Sequence, residues 1–406
     1  MLSLDKTYSA IRRGIFIAIT AAAIAVAHAG ACLAGDADYP TIESSHIAWN
    51  FEQAPRRIVA VGDIHGDYNA LVTILRGARL INARGKWIGG KTHLVLMGDL
   101  IGKGSDSRLV MDFMMRLERE VPGQVHSLLG NHELFASAGR YSAMTDDVEA
   151  FRLTGSEESL RRSIPETPEY LRDWRTDHSY YREIKAAFSK DSKYARWIRS
   201  RNAILKIGNN FFTHAGVLPE WAFDTNPGRV NATIRAWLAY YQGAGPRPPM
   251  NTRWVIEEET SPLSNRAYAP EGRGPDYAPK KIKKMLRALA VDRMFLGHYL
   301  RPDREILLEH PDYGDRVTIL DSGISEFYDG TLSAVEIVGD EVTELTFDRP
   351  EDDVPLRERE PAVRQLERLD DRSDRLASRL ERIETTRTLK ARRERSRIRS
   401  QLERLR

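Results

Sequence analysis

Residues 59–71 read VAVGDIHGDYNAL. An uncharged, β-branched run breaks at Gly62 into a loop holding Asp63, His65 and Asp67, and then enters a stretch with Leu71 and Leu75 at helical spacing. That order is strand, loop, helix. The pattern recurs downstream in THLVLMGDL (92–100), VHSLLGNHE (125–133), THAG (213–216) and MFLGHY (294–299). Each of these is an apolar run ending in Gly, Asp, Asn or His. Strands are expected at 58–61, 94–97, 125–129, 211–213 and 294–296. Helices are expected at 68–80, 106–120, 229–241 and 280–289. Further strands at 316–320, 332–337 and 341–347 read as a meander closing a second sheet. Strands alternating with helices predict an α/β (α+β) fold whose functional groups gather beyond the carboxyl ends of the strands.

The ends of the chain differ from this middle. Lys6, Arg12 and Arg13 precede an uncharged apolar run from Gly14 to Ala27 and a small-x-small site at Ala27-His28-Ala29. This is the order of a signal peptide over 1–34, followed by a linker at 35–54, and it implies a periplasmic or secreted protein. Cys32 is the sole cysteine, so no disulfide and no thiolate nucleophile is expected in the folded part. Residues 55–350 read as the catalytic domain, with a mostly helical insertion at 134–209 whose clearest helix is 180–201. Residues 351–406 carry 17 Lys/Arg against 13 Asp/Glu, which leaves a net charge near −1 for the rest of a chain whose total is +3. The pI of 8.8 therefore belongs to the tail, and the catalytic domain has no electrostatic footprint for nucleic acid. Leu366, Leu369, Leu376, Leu380 and Ile383 form an a/d seam, so the tail reads as a charged helix or coiled coil. It would serve self-association or contact with an anionic envelope surface.

The residue types in the five strings suit divalent metals of intermediate hardness. Asp63 and His65 place a carboxylate and an imidazole on one ion. Asp99 has two oxygens and can bridge to a second ion. Asn131, His214 and His298 complete that second position. Two ions about 3.5–4 Å apart would lower the pKa of a shared water and clamp both oxygens of an in-line displacement, so that a metal-bound hydroxide is the nucleophile. His132, next to Asn131, is placed to give a proton to the leaving group, and Glu133 to orient the loop. His93 and His126 read as structural.

These strings resemble the calcineurin-like metallophosphoesterase superfamily, in its phosphoprotein-phosphatase-like branch and most closely the Shewanella-like phosphatases. The resemblance covers about 55–347 and includes THAGVLPEW (213–221) and ILDSGIS (319–325). It implies a β-sandwich flanked by helices and two ions of the Mn, Fe or Zn group. Asp63, His65 and Asp99 would hold the first ion; Asp99, Asn131, His214 and His298 would hold the second. His132 would be the catalytic histidine. The chain departs from the branch at Gly102 and Lys103, where the branch has Asp-Arg. Lys103 brings a point charge to the phosphate in place of a bidentate fork. Ser261-Pro262-Leu263-Ser264-Asn265-Arg266 resembles the branch's Pro-Leu-Trp-x-Arg segment, so Arg266 is a second phosphate-binding candidate and Arg253 its rival.

The expected activity is hydrolysis of phosphate monoesters, with phosphoproteins among the substrates. Two alternatives stay open: a nucleotide or dinucleoside-polyphosphate hydrolase using the same site, and a binding protein in which the helical tail is the working part.

Overall fold

Ile58, Val59, Ala60 and Val61 point alternately to two different apolar layers, and this alternation sets the architecture. Ile58 and Ala60 join Val95, Met97, Leu205, Ile207, Phe212, Phe295, Leu320, Val335 and Ile337 in one buried cluster. Val59 and Val61 join Leu71, Leu75, Leu94, Leu96, Phe211 and Met294 in another. The first cluster lies between two sheets. The second lies between the sheets and their helices. Strands buried on both faces lose the polar alternation of a surface strand, which is why they read as continuous apolar runs.

The computed structural model describes residues 48–104, 106–140, 187–222, 226–270 and 277–350. The expected signal peptide, the tail and most of the helical insertion lie outside the described residues. The strands are β1 (Asn50–Phe51), β2 (Ile58–Val61), β3 (His93–Leu96), β4 (Val125–Ser127), β5 (Ile204–Ile207), β6 (Asn210–Thr213), β7 (Arg293–Leu296), β8 (Val317–Ile319), β9 (Leu332–Val338) and β10 (Glu341–Phe347). One sheet has the order β1-β5-β6-β7-β8, the other β10-β9-β2-β3-β4. β2, β3 and β4 run parallel, as do β6, β7 and β8. The helices are α1 (Tyr68–Gly77), α2 (Ser107–Glu120), α3 (Asn131–Ser137), α4 (Lys193–Arg199), α5 (Pro219–Ala222), α6 (Pro227–Tyr241) and α7 (Pro279–Ala288). Asp67 caps α1 by accepting the Ala70 N–H at 2.8 Å, and Asn226 with Pro227 starts α6.

Four expectations need correction. The last three strands are not a meander: β8 pairs with β7 in one sheet, while only β9 and β10 form a hairpin, in the other. The expected linker contains β1, which pairs parallel with β5. The expected insertion ends too late, because β5 at 204–207 is a core strand of the sandwich. The expected helix at 180–201 is broken within its described part: Ala187 is helical, turns follow, and Ser192 accepts the Ala195 N–H to start α4 anew. His93 and His126 stand in neighbouring strands with Nδ1 and Nε2 3.0 Å apart, against the edge of Phe51.

A buried ion pair fastens α4 to this sandwich. Glu118 on α2 accepts from Arg201, from the Trp197 indole at 2.8 Å and from the Ser127 hydroxyl at 2.8 Å. Glu118 is 2% exposed and Arg201 5%. Removing one member of such a pair strands the other charge away from water. Arg201→Met is expected to cost about 3–5 kcal/mol of stability, read as a lower denaturant midpoint with an unchanged slope.

Candidate metal centre

The five strings sit on loops that leave the carboxyl ends of parallel strands, three from one sheet and two from the other. β2, β3 and β4 deliver Asp63 with His65, Asp99, and Asn131 with His132. β6 and β7 deliver His214 and His298. His65, Asp99 and His298 adopt φ of +45°, +48° and +65°. A non-glycine residue in the left-handed region costs about 1–2 kcal/mol. Three such residues in one place mark strain gathered at a functional site.

Asp99 is the hub. Its Oδ2 lies 3.7 Å from His65 Nε2, 3.8 Å from His132 Nε2 and 3.4 Å from His214 Nε2. Its Oδ1 accepts the His132 N–H at 2.9 Å. Two donor groups share it: His65, Asp99 and His132, and Asp99, His214 and His298, with the donor atoms of each group within 4.8 Å of one another. Asn131 Oδ1 is 3.1 Å from His214 Nε2. Asp63 accepts the His298 N–H with both oxygens, at 3.2 and 3.0 Å, and lies 3.7 Å from His214 Nδ1. All six expected ligands converge, and His132 enters the first group with them. Glycines allow the approach: a Cβ on Gly130 would stand 2.1 Å from Asp99 Oδ1, and one on Gly297 2.2 Å from Asp63 Oδ1.

The residues fit bound cations on three counts. First, the histidines are preset. His214 Nδ1–H donates to the Met97 carbonyl at 2.9 Å, and His298 Nε2–H donates to the Ser264 carbonyl at 3.0 Å. Bonds of this kind fix which nitrogen faces a metal. Second, His65 Nδ1 is buried without a hydrogen-bond partner. Third, the electrostatics ask for positive charge. Burial, then Asp321 and Asp99, raises the Asp63 carboxyl well above its usual range. Burial and Asp99 push Glu133 up to about 7, and burial pushes Asp321 up to about 6. Burial alone would raise Asp99, but His214 and His132 outweigh it and hold it well below the usual range. Burial would lower His214, yet Asp99 and Asp63 push it up to about 10. Burial and His132 push His65 down to about 3, and burial with His214 lowers His298.

Glu133 does more than the sequence suggested. It accepts the N–H groups of Gly130 at 2.8 Å, Asp99 at 3.1 Å and Leu100 at 2.9 Å. One carboxylate thus fixes the loop after β3 against the start of α3, and so sets Asp99 against Asn131 and His132. Asp321 was missed. It is buried beyond β8 in ILDSG, the same strand-then-Asp signal as the other strings. Tyr328 was also missed; its ring stands 5.3 Å from that of His65.

Of the phosphate-binding candidates, Arg266 touches this centre directly. Arg266 donates to the His298 carbonyl at 2.9 Å. Lys103 Nζ lies 5.2 Å from the Phe327 ring. Arg253 is 51% exposed and pairs with Glu257. Gly102 has φ of +89°, so an aspartate there would be strained.

A family model described as calcineurin-like phosphoesterase matches residues 56–302. The chain belongs to that family. It is 25% identical over 224 residues to Shewanella-like protein phosphatase 2 of Arabidopsis thaliana, a match covering 50% of this chain and 57% of that one, just over half of the relative's length. It is 28% identical over 179 residues to the symmetrical bis(5'-nucleosyl)-tetraphosphatase of Neisseria meningitidis, covering 43% of this chain and 50% of that one. Among solved structures it resembles the cold-active protein-tyrosine phosphatase of a psychrophilic Shewanella species in fold. That match has a TM-score of 0.55 at 20% identity and covers 77% of this chain and 87% of the other. The expected resemblance and sandwich are borne out.

Glu133→Gln must turn an amide N–H toward at least one of three converging N–H groups. It is expected to cost about 1–3 kcal/mol of stability and to lower metal content, measured by denaturation and by elemental analysis of the dialysed protein.

Proposed function

We propose that the protein is a dinuclear, metal-dependent phosphatase of phosphate monoesters, with phosphoproteins among its substrates. The observation that carries this reading is one connected buried cluster: His65, His214 and His298 group about the Asp99 carboxylate, Asn131 meets His214, and Asp63 meets His214 and the His298 N–H, from loops of both sheets. Asp63, His65 and Asp99 would hold one ion; Asp99, Asn131, His214 and His298 would hold the other. Ions of the Mn, Fe or Zn group bound there supply Lewis acidity and an acidified water.

The chain's own side chains do the rest. Arg266, anchored on the His298 carbonyl, and Lys103 balance the charge of the phosphoryl oxygens. His132, buried beside Asp99, gives its proton to the departing alkoxide oxygen, which makes it the general acid. Glu133 holds the two ligand-bearing loops at their spacing. Tyr328 shields the His65 side from water. Glycine at 102 offers no side-chain carboxylate at that position, and the carboxylate beside His132 is that of Asp99, 3.8 Å from its Nε2.

A second reading uses the same site on a nucleotide or dinucleoside polyphosphate. It is favoured by the departure at Gly102 and Lys103 and by the likeness to the Neisseria enzyme. Turnover on phosphotyrosyl, phosphoseryl and dinucleoside polyphosphate substrates, each after reloading with Mn or Zn, separates the two readings.

His132→Gln is expected to lower kcat by about 10²–10⁴-fold while leaving the metal content unchanged. Asp99→Asn is expected to abolish activity and metal binding together. A metal-loaded wild type with no turnover on any phosphate ester would overturn the reading.

A further inference from the structure

The turn between α1 and β3 is a rigid, basic projection with an apolar tip. From residue 68 to 92 the sequence holds Arg76, Arg79, Arg84, Lys86 and Lys91 and no acidic residue. The turn is tightly built. The Leu80 carbonyl accepts the N–H groups of Ile88 at 2.8 Å and Gly89 at 3.1 Å. Asn82 Oδ1 accepts those of Arg84 at 2.9 Å and Lys86 at 3.1 Å. The Trp87 indole N–H donates to the Gly90 carbonyl at 3.1 Å. This frame holds Ile88 out in solvent at 54% exposure, the highest among the described large apolar side chains. Arg84, Lys86 and Lys91 stand within four residues of it along the turn, all exposed.

Neighbouring elements leave the charge positive. From α2, Arg116 donates to the Gly85 carbonyl at 3.0 Å, and Arg119 is exposed. Glu120 is the acid facing the turn; it pairs with Lys86 at 3.7 Å and Arg116 at 3.3 Å. Glu336 on β9 is matched by Arg57.

We propose that the 82–91 turn docks on an anionic bilayer surface, with Ile88 entering the headgroup boundary and Arg84, Lys86 and Lys91 meeting lipid phosphates. An aliphatic tip flanked by cations combines the two forces that hold peripheral proteins at such a boundary. A nucleic acid would be met by aromatic faces free for stacking, whereas Ile88 has no such face and the Trp87 indole is folded back onto Gly89 and Gly90. The turn precedes β3, while the metal centre follows β2 and β3. Docking therefore directs the centre away from the bilayer toward soluble substrates.

The full chain has one cysteine, Cys32, so an Ile88→Cys change on a Cys32→Ser background can carry an environment-sensitive fluorophore at position 88. Its emission is expected to shift to the blue with phosphatidylcholine vesicles containing phosphatidylglycerol, not with phosphatidylcholine alone, and the shift is expected to fade as salt rises. Each cation near an anionic surface is worth about fivefold in affinity, so adding Lys86→Glu and Lys91→Glu is expected to weaken binding by about 25-fold or more. Unlabelled Ile88→Ser is expected to sediment less with the anionic vesicles than wild type. The proposal fails if the label stays unshifted, including when the protein still sediments with vesicles through another segment. It also fails if Ile88→Ser binds vesicles as wild type does, or if duplex DNA shifts the label and vesicles do not.

Discussion

Four carboxyl groups, Asp63, Asp99, Glu133 and Asp321, are buried at one end of the sandwich, and their mutual repulsion is the constraint around which the rest is arranged. Unpaired carboxylates do not stay charged in such a place. The fold answers with backbone N–H groups aimed at Asp63 and Glu133 and with imidazoles grouped about Asp99. His214 shows the demand most directly. Held by the Met97 carbonyl on one nitrogen and facing Asn131 and Asp99 with the other, it is raised to about 10 by its acidic neighbours, against the effect of burial. Divalent cations meet the same demand with more charge in less space.

That constraint also explains the unusual backbone. Left-handed geometry at His65, Asp99 and His298 turns three loops sharply enough to bring their side chains to a common point. Glycines at 130 and 297 leave room for carboxylate oxygens where a Cβ would collide. The strain is small beside the packing that holds the loops: the strands behind them are buried on both faces.

The site was legible in the sequence because its signal is local. A short apolar run followed by Gly-Asp or by Gly-Asn-His needs no knowledge of strand order, and the sites read from those runs do converge. Sheet membership was not legible. Val317–Ile319 and Leu332–Val338 look alike as sequences, yet they belong to different sheets, since pairing depends on distant partners. The two-residue strand at Asn50 has no pattern to read, and β5 was hidden by the polar, aromatic segment before it. Asp321 carries the same strand-then-Asp signal, with no histidine beside it to mark it as part of the site. The loop-orienting role of Glu133 was legible, but its hold on the β3 loop was not, since its partners at 99 and 100 lie more than thirty residues back.

The centre is assembled from both halves of the polymer. The loops after β2, β3 and β4 bring Asp63, Asp99, Glu133 and the first imidazoles, while His214, His298 and Asp321 arrive with the second sheet. On the ribosome, a nascent chain extended only as far as Asn131 would present acidic loops without the bases that balance them, and with no opposing sheet to exclude water. The full donor set therefore exists only once residue 298 has emerged, and the sheets that hold it in place only once β8, β9 and β10 have followed.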